Sequence, residues 1–122
     1  LLGDFNNWGK KMPWIGSTNV PLVCAGPGIQ KDKIINTYVT NMDLAATFLD
    51  ITGSKMPPKS NNFSSVSFNA FLNGTWSDKK NEYRDYVYSG LTNWRTAIQQ
   101  INDSVTWKYI CCQGECPGDR NE

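Results

Sequence analysis

The 122-residue chain contains no histidine. That removes the commonest general base and the commonest neutral metal ligand. A Ser-His nucleophile pair and a histidine-bearing zinc site are both excluded within these residues. Net charge is almost absent too, with 12 Lys+Arg against 11 Asp+Glu. The basic residues are scattered and the longest basic run is a pair, so the footprint of a nucleic-acid or anionic-membrane binder is missing. Nor does any apolar run reach the roughly 18 residues that would span a bilayer.

Cysteine is sparse, with four in all: Cys24, Cys111, Cys112 and Cys116. Three of them crowd together near the end, without the second ligand pair a zinc site needs. Three Asn-x-Ser/Thr sequons open at Asn62, Asn73 and Asn102. Chance is the alternative reading of each. Together with the clustered cysteines they point to a secretory route, with glycosylation at these asparagines and at least one disulfide. Adjacent cysteines rarely bridge each other, so the expected bridge joins Cys116 to Cys111 or Cys112, with Cys24 free in an apolar strand.

The chain has the length of one domain. Residues 1–17 read as a glycine-punctuated loop. Val20 to Ala25 is a short apolar run, expected to be a strand buried on both faces and closed by Gly26-Pro27-Gly28. Asn41 to Thr52 is the best helix. Thr40 is its N-cap, Asp43 completes a capping box, and Gly53 suits the position after its end. Apolar residues mark two of its sides, which predicts a helix sandwiched between other elements.

Ser54–Ser65 and Trp76–Asp85 read as polar loops, with a short helical turn at Phe68–Leu72 between them. From Tyr86 onward the period changes to two. Tyr86–Tyr88, Trp94–Ile101 and Val105–Cys112 are expected strands, the last two forming a hairpin across Asn102-Asp103-Ser104. The five Trp, five Tyr and five Phe are read mainly as core and cross-strand pairs. An exposed aromatic row that binds carbohydrate is the alternative.

Gly3-Asp4, Trp8-Gly9-Lys10, Val20-Pro21-Leu22 and Pro27-Gly28 follow one another in the first third of the chain. This run resembles the sulfatase family at the loop that carries a sulfate-binding lysine ahead of a core strand. Asp43–Gly53 is similar to the helix that follows that strand. Trp94-Arg95 and Trp107-Lys108-Tyr109-Ile110 are similar, more loosely, to the family's C-terminal hairpin. The resemblance implies an α/β fold: the C-terminal part of a sulfatase-like structure in the alkaline phosphatase-like superfamily. A core strand plus helix (residues 1–75) would be followed by a small antiparallel subdomain (residues 76–122).

The same resemblance implies hydrolysis of sulfate esters, on a small molecule or a glycan. Lys10 would be the catalytic, substrate-binding residue, since a lysine ammonium suits the charge that develops on sulfate oxygens. Lys11 is read as solvated, and Asp4 as a loop residue bonding nearby backbone rather than a metal ligand. Ile15 and Phe5 depart from the family's usual acid and histidine. The family's nucleophile is a formylglycine made from Cys or Ser in a Cys/Ser-x-Pro/Ala-x-Arg setting. None of the four cysteines has that setting, and Cys116-Pro-Gly-Asp-Arg has the wrong spacing.

The nucleophile and the ligands of a calcium or magnesium ion are therefore expected upstream, in an N-terminal half that acts as this chain's partner. The chain alone should be inactive and should expose apolar surface. Two other readings are a phosphoester or phosphonate hydrolase of the same superfamily and a non-catalytic secreted glycan-binding module.

Overall fold

The computed structural model describes residues 3, 6, 8–9, 11–55, 64–76, 83–101 and 104–114. It separates into two compact units, one of Leu1–Leu22 with Asp85–Glu122 and one of Val23–Arg84. Side-chain packing agrees with this division. Phe71 meets Trp76 at 4.4 Å and Tyr83 at 5.1 Å between ring centroids, so the residues up to Arg84 belong with the helices. The Trp94 indole Nε1 donates to the Lys11 carbonyl at 2.8 Å, so the first loop belongs with the strands.

The first unit is built on a three-stranded antiparallel sheet in the order β1-β2-β3. Its strands are β1 (Tyr86–Leu91), β2 (Trp94–Gln100) and β3 (Thr106–Cys112). Ile98 pairs with Val87 on one side and Lys108 on the other, and Ala97 likewise pairs with Tyr88 and Tyr109. Because side chains alternate along a strand, this register sorts the residues onto two faces. Val87, Trp94 and Thr96 are buried on one of them. A short helix, α1 (Ile15–Thr18), follows Pro13, which is itself fully buried.

The second unit holds α2 (Asn41–Ile51) and α3 (Asn69–Asn73). The expected capping box is present: Asp43 Oδ2 accepts from the Thr40 N–H at 2.7 Å, and α2 begins there. Gly53 takes a left-handed φ of 67° just past the helix end, where a side chain would be strained. The buried stripe of α2 is Asp43, Ala46 and Thr47, while Met42, Phe48 and Ile51 stay exposed. The helix is therefore covered on one side and not sandwiched. The covered side is held by hydrogen bonds that periodicity does not reveal, such as the Phe68 N–H to Thr47 Oγ1 at 3.1 Å.

The expected core strand is not formed. Residues 20–25 are not in a ladder, no described strand pairs with them, and Val23 is 88% exposed. An apolar run signals burial, but a strand also needs neighbours for its backbone groups. Cys24 is free and half-buried, as is consistent with its apolar setting, but it does not lie in a strand. Cys111 is also free, whereas Cys112 is disulfide-bonded. Cys116 lies outside the described residues. No described helix is long and apolar enough to cross a membrane.

Asp43 is the centre of the second unit. It is 0% exposed, yet both carboxylate oxygens have partners. Arg84 Nη2 donates to its Oδ1 at 2.6 Å, and the Val66 N–H donates to the same oxygen at 3.0 Å. Tyr83 stands beside this pair and donates its hydroxyl to the Val66 carbonyl at 3.1 Å. Burial, and next the Asp43 charge, push the Tyr83 phenol well above the ordinary tyrosine range, against an opposing pull from Arg84.

The folded state therefore holds this proton more tightly than the unfolded chain does. The resulting stability is fully present below about pH 10, the ordinary tyrosine value, and is lost as pH rises from there towards the folded pKa. Urea midpoints followed from about pH 8 to pH 11 should fall more steeply for the wild type than for Tyr83→Phe. Parallel curves would remove this assignment.

Candidate functional site: the lysine loop

Lys10 lies outside the described residues, and what the structure describes is the frame on either side of it. Gly9, the residue before it, has a φ of 81°. Nothing stands within 4 Å of a Cβ built there, so glycine serves this turn by its left-handed conformation, not by close approach of another group. Trp8 does not pin the loop, for it is 72% exposed.

The pin comes from the far end of the sequence. Trp94 is buried at the start of β2, and its indole N–H reaches the carbonyl of Lys11, one residue past Lys10. A second tie comes from β3. The Lys108 ammonium donates to the Pro13 carbonyl and, at 3.4 Å, to Thr18 Oγ1. Burial lowers the Lys108 pKa below the ordinary lysine value. Its ammonium serves the backbone of the loop, so Lys108 is a positioning residue.

Sequence pattern places Trp94 and Lys108 only in a hairpin. Their role rests on contacts across 83 and 95 positions of sequence, for which no local pattern exists. Lys11 has an exposed side chain and contributes through its carbonyl oxygen, in keeping with a solvated ammonium.

The remaining site expectations divide by location. Asn73 ends α3 in an exposed position, where its Oδ1 accepts from the Thr75 N–H at 3.0 Å and the Thr75 hydroxyl at 2.7 Å. Asn62, Asn102 and Asp4 lie outside the described residues. Among the described residues no group of three or more His, Cys, Asp or Glu could hold a metal ion. These residues do not fit a calcium or magnesium site.

Residues 3–108 match the family described as N-sulphoglucosamine sulphohydrolase, C-terminal. The chain belongs to the sulfatase family, as part of its C-terminal region. Helices together with a three-stranded antiparallel sheet agree with the α/β class of that region. Among relatives, an "Extracellular sulfatase SULF-1 homolog" of Drosophila melanogaster is 47% identical over 49 residues, 40% of this chain and 4% of that protein. A "Putative extracellular sulfatase Sulf-1 homolog" of Caenorhabditis elegans is 42% identical over 53 residues, 43% of this chain and 8% of that protein. "Arylsulfatase K" of Bos taurus is 29% identical over 105 residues, 83% of this chain and 19% of that protein. The chain thus spans at most about a fifth of these sulfatases' length. No solved structure matches it.

Proposed function

We infer that this chain supplies the sulfate-gripping loop of a sulfatase acting on sulfate esters of a small molecule or a glycan. The observation that supports this most is the family match across residues 3–108, which takes in the lysine loop and the two residues that tie it down, Trp94 and Lys108. Lys10 is the substrate-binding and catalytic cation in this reading. Its ammonium stabilises charge gathering on the sulfate oxygens as the S–O bond to the leaving group breaks. Trp94 and Lys108 hold the backbone on the Lys11 side of it.

The nucleophile in this reading is a formylglycine in the missing N-terminal half, which also carries the acidic ligands of a calcium or magnesium ion. The destination in this reading is the secretory pathway, extracellular or lysosomal; the word extracellular in two relatives' names supports the first. The sequons at Asn62, Asn73 and Asn102 fit glycosylation there, and a Cys112–Cys116 bridge fits the disulfide at Cys112.

The test is an assay of the complete reading frame with a chromogenic aryl sulfate and calcium. The complete protein should turn it over, and the 122-residue chain by itself should give no rate above its Lys10→Ala variant. Turnover of an aryl phosphate but not of the sulfate by the complete protein would overturn the reading.

A further inference from the structure

The outward face of the sheet differs in chemistry from the inward one. Val87, Leu91, Ile98 and Ile110, the aliphatic residues larger than alanine in the strands, all fall on the face that also carries Trp94 and Lys108. The opposite face presents Tyr86, Tyr88, Trp107 and Tyr109, which are 47%, 65%, 70% and 69% exposed. Tyr86 and Tyr88 lie edge by edge, with ring centroids 5.1 Å apart. Ala97, Gln99, Gly90, Arg95 and Cys111 complete this face by register.

Four exposed aromatic side chains in one patch exceed the scattered apolar residues of an ordinary surface. Each of them joins a flat apolar ring to a polar handle, a phenol or an indole N–H. That is a poor match for an aliphatic protein core. It is a good match for pyranose rings, which offer C–H bonds on their faces and hydroxyls at their edges.

The charge on the face narrows the ligand. No strand residue is acidic, and Arg95 is the one cationic residue that the register places outward. Its stem lies across Gly90, where an added Cβ would come within 2.5 Å of the Arg95 Cδ. Its guanidinium donates to the carbonyls of Trp94 at 2.7 Å and Thr92 at 3.1 Å. The guanidinium is thereby held beside an open depression of about 310 Å³ lined by Thr92, Asn93, Arg95, Cys111, Cys112 and Gln113. A cation fixed at the edge of an aromatic platform whose strand residues carry no carboxylate complements an anionic group on the ligand.

From Trp107 to the depression at Cys111 the strand covers roughly 13 Å, more than one sugar ring. We propose that the outward face of the sheet binds a sulfated oligosaccharide: Tyr86, Tyr88, Trp107 and Tyr109 stack its rings, and Arg95 takes a sulfate group. This rests on the sulfatase reading and assigns the enzyme a second, non-catalytic grip on its polymeric substrate.

The experiment uses the complete enzyme, with a heparin-derived octasaccharide, the same octasaccharide after desulfation, and an aryl sulfate. Binding of the octasaccharide is read by calorimetry, which does not require turnover. Oxidative footprinting should modify Trp107 and Tyr109 in the free enzyme and less so once the octasaccharide is bound. The Trp107→Ala/Tyr109→Ala double variant should bind the octasaccharide about tenfold or more weakly. Arg95→Gln should narrow the preference for the sulfated over the desulfated chain.

These exposed positions lie away from the lysine loop, so kcat/KM for the aryl sulfate should not change in either variant. Trp107→Phe keeps an apolar ring and should retain most of the affinity. Octasaccharide affinity unchanged in the double variant, or Trp107 and Tyr109 unmodified in the free enzyme, overturns the proposal; the second result would mean that another part of the protein covers the face. Absence of aryl sulfate turnover by the wild type would instead overturn the sulfatase reading, and the calorimetry still decides the face.

Discussion

Asp43→Ala should lower the unfolding free energy of this chain by about 3–5 kcal/mol, the range for breaking a buried ion pair on one side only. Asp43 has no exposed surface, and Arg84 is 12% exposed. The carboxylate accepts from the backbone N–H groups of Thr40 and Val66, from the Thr40 hydroxyl and from Arg84. Alanine would leave two backbone donors unpaired, remove the Asp43 half of the capping box, and leave the Arg84 charge without its carboxylate, held only by the Ser64 carbonyl and the Thr40 hydroxyl. Few single changes cost this much, and total stabilities are commonly only about 5–15 kcal/mol.

Urea unfolding of the purified chain measures the loss. Because much of it comes from the stranded charge, Asp43→Ala combined with Arg84→Met should recover part of it. A loss below about 1 kcal/mol for Asp43→Ala would show that the network contributes no more than an exposed pair.

Lys10→Ala should reduce kcat/KM of the complete enzyme for an aryl sulfate by about 10²–10³, the range for a single electrostatic donor at a developing oxyanion. The reduction should appear mainly in kcat, because the charge on sulfate shifts most as the bond to the leaving group breaks. Lys11→Ala should cost far less. The structure uses Lys11 through its carbonyl, which the substitution leaves in place for Trp94 to reach. Equal effects at the two positions would refute the assignment of the lysine pair.

How much of this was readable beforehand depended on the range of the interaction. The start and end of α2 were legible because a capping box and a glycine C-terminal to the helix act within one turn. The hairpin of β2 and β3 was legible because alternation and a turn act within a few residues. The run at residues 20–25 misled. Its composition matches a buried strand, but composition carries no information about whether a partner strand is present to accept its backbone hydrogen bonds. The stretch after Trp76 was read as a polar loop by its charged middle, while its two ends, Trp76 and Tyr83, join Phe71 in an aromatic cluster.

The order of residues alone determined the family, the main helix and the pairing of the last two strands. Each of these is written in contiguous residues whose geometry follows from local sterics and period. The tertiary structure decided which carbonyls Trp94 and Lys108 would hold, that Asp43 would serve Arg84 as well as its own helix, and which of the aromatic residues would be core. Trp94 and Trp107 are both strand tryptophans, yet one is 2% exposed and the other 70%. Alternation assigns them to opposite faces of the sheet, but only packing determines which face is covered.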